Sequence, residues 1–167
     1  LLDSPIIPHL MQKLESKKEK IKFSRVDSDT LENLIKKDEE VISKLTDEEK
    51  EKLKPMIETA VENEKYTVQL EALDSNSMPF MLAQPEFMRR MKEMQQTGGG
   101  AMGNLPDMYS LIVNTNHELV GKILNTRTEK KRNSLIKQSI DLAKLSQNNL
   151  TGKDLTEFIN RSIDLIK

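Results

Sequence analysis

The chain of 167 residues is long enough for one domain, or one domain with an appendage, and for a core that needs no covalent cross-links. Hydrophobic residues make up 36% and charged residues 32%, and the formal net charge of −1 argues against a general affinity for nucleic acid or membrane. Cysteine is absent, which excludes disulfide scaffolds and thiolate metal sites and fits a reducing compartment, so we expect a cytoplasmic protein. No apolar run approaches the roughly 20 residues of a membrane-spanning helix. The start, LLDSPIIPHL, does not read as a signal peptide, and we expect a segment of a longer protein.

Residues 1–64 read as a helical lead-in. Ser4 and Pro5 fit the N-cap and first position of a short helix, and KIKFSRV then reads as a short strand or an extended piece. A second helix is predicted after Asp27 or Ser28. The clearest start is the capping box of Thr46 and Glu49 in a third helix, where Pro55 predicts a kink or the beginning of a second half.

Residues 65–125 predict a small sheet. KYTVQLEAL alternates apolar and polar side chains as a half-buried strand does, and MPFMLA reads as a second strand that we expect to form a hairpin with the first. MYSLIVN predicts a third strand, whose Leu111-Ile112-Val113 run is typical of burial on both faces. Asn116 is predicted to cap a short helix that follows it.

Two amphipathic helices are predicted within residues 126–167. The apolar stripe of each spans an arc of about 160°, and the short connection NNLT favours an antiparallel arrangement. The stripes contain Leu135, Ile136, Ile140, Leu142 and Ala143 in the first helix, and Leu155, Phe158, Ile159, Ile163, Leu165 and Ile166 in the second.

These arcs are wider than the seam that one partner helix covers. We therefore predict that the hairpin meets the same hairpin of a second copy in a four-helix bundle with a two-fold contact. The alternative is that the sheet of the same chain covers both stripes. The order of helices, a small three-stranded sheet and then helices predicts an α+β fold.

Methionine is concentrated in one part of the chain, where seven of the nine methionines fall between Met78 and Met108. A helix predicted there has Phe87, Met88, Met91 and Met94 on one face. Methionine is flexible and polarisable, so such a face adapts to varied apolar partners. Two interpretations stay open, a partly exposed helix that binds apolar segments and an ordinary amphipathic helix packed on the sheet.

The glycines that follow, Gly98–Gly103 (GGGAMG), match the G-x-G-x-x-G pattern of dinucleotide-binding loops. Such a loop follows a strand and begins a helix, whereas this one follows a helix and leads to a strand. We interpret it as a helix stop and a linker, and keep a nucleotide-binding domain as the weaker alternative. His9 and His117 lie in no metal-binding or catalytic spacing, so we predict no catalytic residue, no metal site and no enzyme activity for this chain.

Taken together, these segments resemble the C-terminal domain of the ninety-kilodalton heat-shock chaperones, in its bacterial form. The resemblance lies in LLDSPIIPHLMQKLE, FSRVDSDTLENLI, TVQLEALDSNSMPFMLAQPEFMRRMKEM, MYSLIVNTNHELVGKIL and the final helical pair. It covers essentially the whole chain in the same order. The resemblance implies a C-terminal dimerisation domain over residues 1–167.

Family likeness also implies roles for individual residues. The terminal helices would form a constitutive homodimer, and the methionine helix would face the cleft between protomers and contact unfolded or stressed client proteins through Phe87, Met88, Met91 and Met94. The dimer residues would be Leu135, Ile136, Ile140, Leu142, Leu155, Phe158, Ile159, Ile163 and Ile166. A purely structural dimerisation domain without client contact is the alternative.

Cofactors and further partners follow from the same resemblance. ATP and magnesium would bind N-terminal and middle domains of a full-length protein, and we expect no cofactor in this chain. The chain ends RSIDLIK rather than in an acidic M-E-E-V-D tail, so tetratricopeptide-repeat co-chaperones are not expected as partners.

Overall fold

The computed structural model describes residues 7–18, 21, 23, 41–61, 66–85, 88–91 and 108–166. Its helices are α1 (Ile7–Lys17), α2 (Asp47–Val61), α3 (Glu118–Asn125), α4 (Glu129–Ser146) and α5 (Gly152–Ile166), and its strands are β1 (Tyr66–Glu71), β2 (Phe80–Ala83) and β3 (Tyr109–Asn114). The α+β prediction is confirmed. The helix predicted after Asp27 or Ser28 and the Gly98–Gly103 loop lie outside the described residues.

The chain divides into two compact units. The first unit takes its described residues from Leu1–Lys36 and Ala83–Tyr109, and the second takes them from Lys37–Leu82 and Ser110–Lys167. The second unit contains α2 to α5 and most of the sheet. Each unit is described by itself below.

The sheet is mixed, with β3 between β1 and β2. The amide of Thr115 donates to the carbonyl of Glu71 at 2.8 Å, which joins the ends of β3 and β1, so these strands are parallel. The amide of Asn114 donates to the carbonyl of Pro79 at 2.9 Å, just before β2, so β2 is antiparallel to β3. The prediction of a hairpin between the first two strands is therefore wrong, because the third strand lies between them.

The core of the second unit surrounds β3 and α4. All three residues of the Leu111-Ile112-Val113 run are buried, as predicted, because a central strand is covered on both faces. Helices α2, α3 and α4 contact one another, and α2 also packs on β1. Their fully buried side chains include Leu53 and Ile57 of α2, Val120 and Ile123 of α3, and Ile136 and Ala143 of α4.

The predicted capping box begins α2. The amide of Glu49 donates to the Thr46 hydroxyl at 3.3 Å, and the Glu49 carboxylate accepts from the Thr46 amide at 2.8 Å. Pro55 lies inside α2 without ending it. The cap predicted for α3 is wrong by one residue, because Nδ1 of His117, not Asn116, accepts from the amide of Leu119 at 3.0 Å.

The Asn116 side chain instead joins three segments of the second unit through hydrogen bonds. Its amide nitrogen donates to the carbonyls of Ile42 and Leu73, both at 3.0 Å, and its oxygen accepts from the amide of Lys44 at 2.6 Å. The neighbouring Asn114 side chain is fully buried and accepts from the amide of Leu73 at 3.3 Å. These buried amides satisfy backbone groups that would otherwise lack partners beyond the strand ends.

Candidate functional site

The two terminal helices form the best defined candidate surface, and they pack against each other. Phe158 of α5 is 9% exposed, and it lies between two polar contacts that join α5 to α4. On one side the Arg161 guanidinium donates to the carboxylate of Asp141, and on the other the Gln138 amide donates to the Ser162 hydroxyl at 2.7 Å. Contacts on both sides of a packed aromatic ring fix the orientation of α5 on α4.

The apolar arc of α4 is divided between the interior and the surface. Ile136 and Ile140 are 0% and 5% exposed, so the chain's own core covers them, whereas Leu142 and Leu145 are 41% and 40% exposed. Leu135 is half-buried. One part of the predicted wide arc therefore packs in the core, and the other part lies on the surface.

The arc of α5 is divided in the same way. Phe158 faces α4 and Leu155 is half-buried, whereas Ile159, Ile163 and Ile166 are 47%, 48% and 85% exposed. The exposed side chains follow one another at spacings of four and three residues, which places them in one row along the helix.

Both exposed rows lie beside the Gln138–Ser162 hydrogen bond. Gln138 precedes Leu142 by four residues on α4, and Ser162 follows Ile159 by three residues on α5, so each polar residue is a surface neighbour of its row. The rows therefore belong to one side of the hairpin. We call this surface the outer apolar face and define it by Leu142, Leu145, Ile159, Ile163 and Ile166.

The other side of the hairpin is charged. The Asp141 carboxylate, 5% exposed, pairs with Arg161, and Nζ of Lys144 lies 3.5 Å from it. Lys137 and Glu157 add a looser pair at 3.8 Å. Apolar and charged residues are thus separated between two sides of the same helix pair.

Part of the predicted methionine helix is described in the first unit. Residues 88–91 are helical, and Met88 and Met91 are half-buried, whereas Phe87 and Met94 lie outside the described residues. The exposure of the predicted client-contact face is therefore known for two of its four members.

Arg90 holds this helical segment against α1. Its guanidinium makes two contacts to the Glu15 carboxylate, at 2.8 and 3.2 Å, and a third to the carbonyl of Phe23 at 2.6 Å. Glu15 also accepts from the amide of Phe23 at 2.6 Å. The sequence signals did not predict this anchor, because Arg90 lies 75 positions from Glu15 and 67 positions from Phe23.

An exposed apolar pair on α1 was also missed at the sequence level. Leu10 and Leu14 are 52% and 38% exposed and lie four residues apart, hence on one face of α1. The i, i+4 spacing was a usable signal. These leucines add apolar surface to the unit that contains Met88 and Met91.

Other site types find no support in the described part of the chain. No group of three or more histidine and acidic side chains there has a metal-binding arrangement, and His117 serves as a helix cap. Across the same residues, no helix combines the length and the apolar character needed to cross a bilayer.

The chain is similar to bacterial chaperones named HtpG. It is 39% identical to the chaperone protein HtpG of Porphyromonas gingivalis, over 87% of this chain and 22% of that protein. It is 30% identical to the chaperone protein HtpG of Bacteroides thetaiotaomicron and 28% identical to that of Bacteroides fragilis, in each case over 99% of this chain and 34% of the relative. The chain thus spans between 22% and 34% of the length of these curated relatives, in their C-terminal part. No protein-family profile matches it.

Proposed function

Because the chain belongs to the HtpG family of bacterial chaperones, we propose that it is the homodimerisation and client-contact module of an ATP-dependent chaperone. In this role it joins two protomers at one end, which raises the effective concentration of the remaining domains for each other. ATP hydrolysis, with magnesium, belongs to the other domains of the full-length protein, which acts in the cytoplasm on unfolded or stressed clients.

The observation that carries the dimer proposal is the outer apolar face. Its five side chains are between 40% and 85% exposed, although they stand on a hairpin that is held by the buried Phe158 and by the Asp141–Arg161 pair. Large apolar side chains gathered on one rigid surface mark an interaction site more often than an ordinary solvated surface. A second copy presents the same face, so two hairpins cover each other in a two-fold four-helix bundle.

Sedimentation velocity tests this dimer. The wild-type chain is expected to sediment as a dimer at micromolar concentration, and Ile159→Asp with Ile163→Asp as a monomer, because each buried carboxylate would lack a partner. Ile166→Asp alone is expected to weaken the dimer, and Ile42→Asp is its control and should leave the dimer intact, since both isoleucines are 85% exposed but only Ile166 belongs to the outer apolar face. A monomeric wild type would remove the dimer proposal.

Client contact is the second part of the proposal. Met88 and Met91 present a soft apolar face on a short helical segment, and Leu10 and Leu14 expose further apolar surface in the same unit. Methionine side chains repack against apolar segments of different shape, as a surface for many clients requires.

A suppression assay separates client contact from a purely structural role. The chain is expected to slow the aggregation of a chemically denatured test protein, and Met91→Ser with Met94→Ser to lose this effect with unchanged circular dichroism. Met78→Ser with Met108→Ser is the matched control, because those methionines are 45% and 42% exposed elsewhere. If both variants suppress aggregation as well as the wild type does, the purely structural domain is favoured.

The nucleotide-binding alternative has its own test. Calorimetric titration of the chain with ATP and magnesium is expected to show no binding, because the Gly98–Gly103 sequence follows a predicted helix rather than beginning one. Micromolar binding that is lost on Gly98→Ala with Gly100→Ala would restore that alternative.

A further inference from the structure

Basic side chains are concentrated in the sequence where α3 ends and α4 begins, within the second unit. We call these residues the basic cluster, and they are Lys122, Arg127, Lys130, Lys131 and Arg132. Only one carboxylate, Glu129, lies among them in sequence, whereas the whole chain has 26 basic and 27 acidic residues. The cluster is a local excess of positive charge in a nearly neutral chain.

The charges of the basic cluster are not neutralised by the part of the chain that the structure describes. Four of the five side chains are exposed and Arg132 is half-buried, and none of them forms an ion pair with a described carboxylate. Nε of Arg132 is buried without a hydrogen-bond partner among these residues. By contrast, Lys137 and Lys144, farther along α4, both pair with carboxylates.

The position of the cluster is unfavourable for the stability of α4. Lys130 and Lys131 lie in its first turn, where the unpaired backbone N–H groups already create positive potential and Glu129 supplies one opposing charge against the two lysines. The N-cap, Thr128, makes no side-chain hydrogen bond that would offset this effect. Cations at a position where acidic residues stabilise a helix point to a role other than folding.

We propose that the basic cluster binds a short acidic segment of another polypeptide. Arg127 and Arg132 stand five positions apart in the sequence, a short stretch that matches a few successive carboxylates rather than a long polyanion. The fit to nucleic acid is poor, because residues 122–132 contain no aromatic side chain on which a base could stack. The acidic first turn of α2, in the same unit, also disfavours a long polyanion.

The proposed function enters this inference at one point, because it identifies the polypeptide that supplies the acidic segment as a client. Leu142 of the outer apolar face follows Arg132 by ten residues, about 15 Å along α4. The two surfaces can therefore be changed independently. Ile159→Asp with Ile163→Asp is expected to bind an acidic peptide as tightly as the wild type does, so a failure of dimerisation leaves this inference intact.

The experiment is a titration of a fluorescent oligoglutamate peptide with the 167-residue chain, followed by fluorescence anisotropy at two ionic strengths. Lys130→Gln with Lys131→Gln is expected to weaken binding roughly three- to tenfold, because two charge contacts are lost. Binding by the wild type is expected to fall as salt is added.

Lys52→Gln with Lys54→Gln is the matched control, since it removes the same charge from two exposed lysines of α2 that stand among acidic residues. It is expected to bind within about twofold of the wild type. Equal weakening by both variants, or no binding by the wild type, would overturn the proposal. Tighter binding of a thymidine oligonucleotide or of phosphatidylglycerol vesicles through Lys130 and Lys131 would overturn it as well, by assigning the cluster to nucleic acid or membrane.

Discussion

The terminal hairpin and the helical segment at residues 88–91 are each held by an arginine–carboxylate pair, and the two arginine side chains are equally exposed, at 21%. Their carboxylates differ. Asp141, in the hairpin, is 5% exposed, whereas Glu15, which pairs with Arg90, is 20% exposed. A carboxylate that has lost more of its hydration is destabilised more when its cation is removed. Loss of the arginine should therefore cost more stability in the hairpin than in the segment at residues 88–91.

This difference fits the two proposed tasks. A dimer that lasts for the lifetime of the protein needs a rigid surface, and the buried Asp141–Arg161 pair with Phe158 provides one. Contact with varied clients needs a segment that opens at a low free-energy cost, which is typical of regions held by exposed polar contacts. The anchor of residues 88–91 is closer to that kind than the hairpin pair is, since Glu15 is 20% exposed and Asp141 is 5% exposed.

Removal of the buried cation should have the largest effect. Arg161→Met is expected to lower the free energy of unfolding by about 3 kcal/mol, because Asp141 then keeps Lys144, at 3.5 Å, as its one cation among the residues that the structure describes. Urea denaturation at a fixed protein concentration measures this loss. Lys153→Met, at an 88% exposed side chain that pairs with Glu157 at 3.6 Å, is the control and should cost at most about 0.5 kcal/mol.

A second variant tests whether burial of the carboxylate is the cause. Asp141→Leu combined with Arg161→Met removes both charges and is expected to recover most of the lost stability, because no buried ion then lacks its partner. A single-variant loss below about 1 kcal/mol would contradict the view that this pair fixes the hairpin.

Loss of the more exposed pair should have a smaller and local effect. Arg90→Met is expected to reduce the free energy for opening residues 88–91 by about 1 kcal/mol, since water can solvate Glu15 and the Phe23 carbonyl. Hydrogen exchange of the amides in this segment measures the opening.

Arg90→Lys provides the control, because it keeps the charge and loses the bidentate geometry. Its protection from exchange should lie between those of the wild type and Arg90→Met. If Arg90→Met lowered the free energy of unfolding of the whole chain as much as Arg161→Met does, the two arginine–carboxylate pairs would stabilise their regions equally.

Local structure was largely predictable from the sequence because its causes are local. The Thr46–Glu49 capping box, the alternation in β1 and the helical period of α4 and α5 each depend on residues a few positions apart. Strand order was not predictable in this way. The buried Leu111-Ile112-Val113 run indicated a central strand, but the hairpin expectation for β1 and β2 ignored that a central strand needs a neighbour on each edge.

The sequence predicted which residues form the apolar stripes, but not which members of each stripe are buried and which are exposed. Ile136 and Leu142 belong to the same stripe on α4, yet one is fully buried and the other 41% exposed, because the division depends on where α5 packs. The pairs that fix α5 join residues 20 or more positions apart, such as Asp141 with Arg161. No local sequence pattern predicts such pairs. The prediction of Asn116 as the cap failed for the same reason, since the Asn116 side chain is bound by distant backbone groups.

The smallest expected effect concerns the polar contact on the outer side of the hairpin. Gln138 donates to Ser162, but its own oxygen is buried with no partner in the described part of the chain, and the Ser162 hydroxyl donates to the carbonyl of Phe158 at 2.8 Å. An unsatisfied buried acceptor opposes folding by about as much as one hydrogen bond favours it. Gln138→Leu should therefore change the free energy of unfolding by no more than about 0.5 kcal/mol, as measured by urea denaturation.

The same substitution distinguishes the two sides of the hairpin. Leucine at position 138 lies beside Leu142 and would extend the outer apolar face, so the dimer should dissociate at a lower protein concentration than that of the wild type. Sedimentation velocity across a dilution series measures this shift, with Lys137→Leu as the control on the charged side. A loss of more than about 1 kcal/mol for Gln138→Leu would mean that polar contacts, rather than the buried ion pair and Phe158, fix both sides of the hairpin alike.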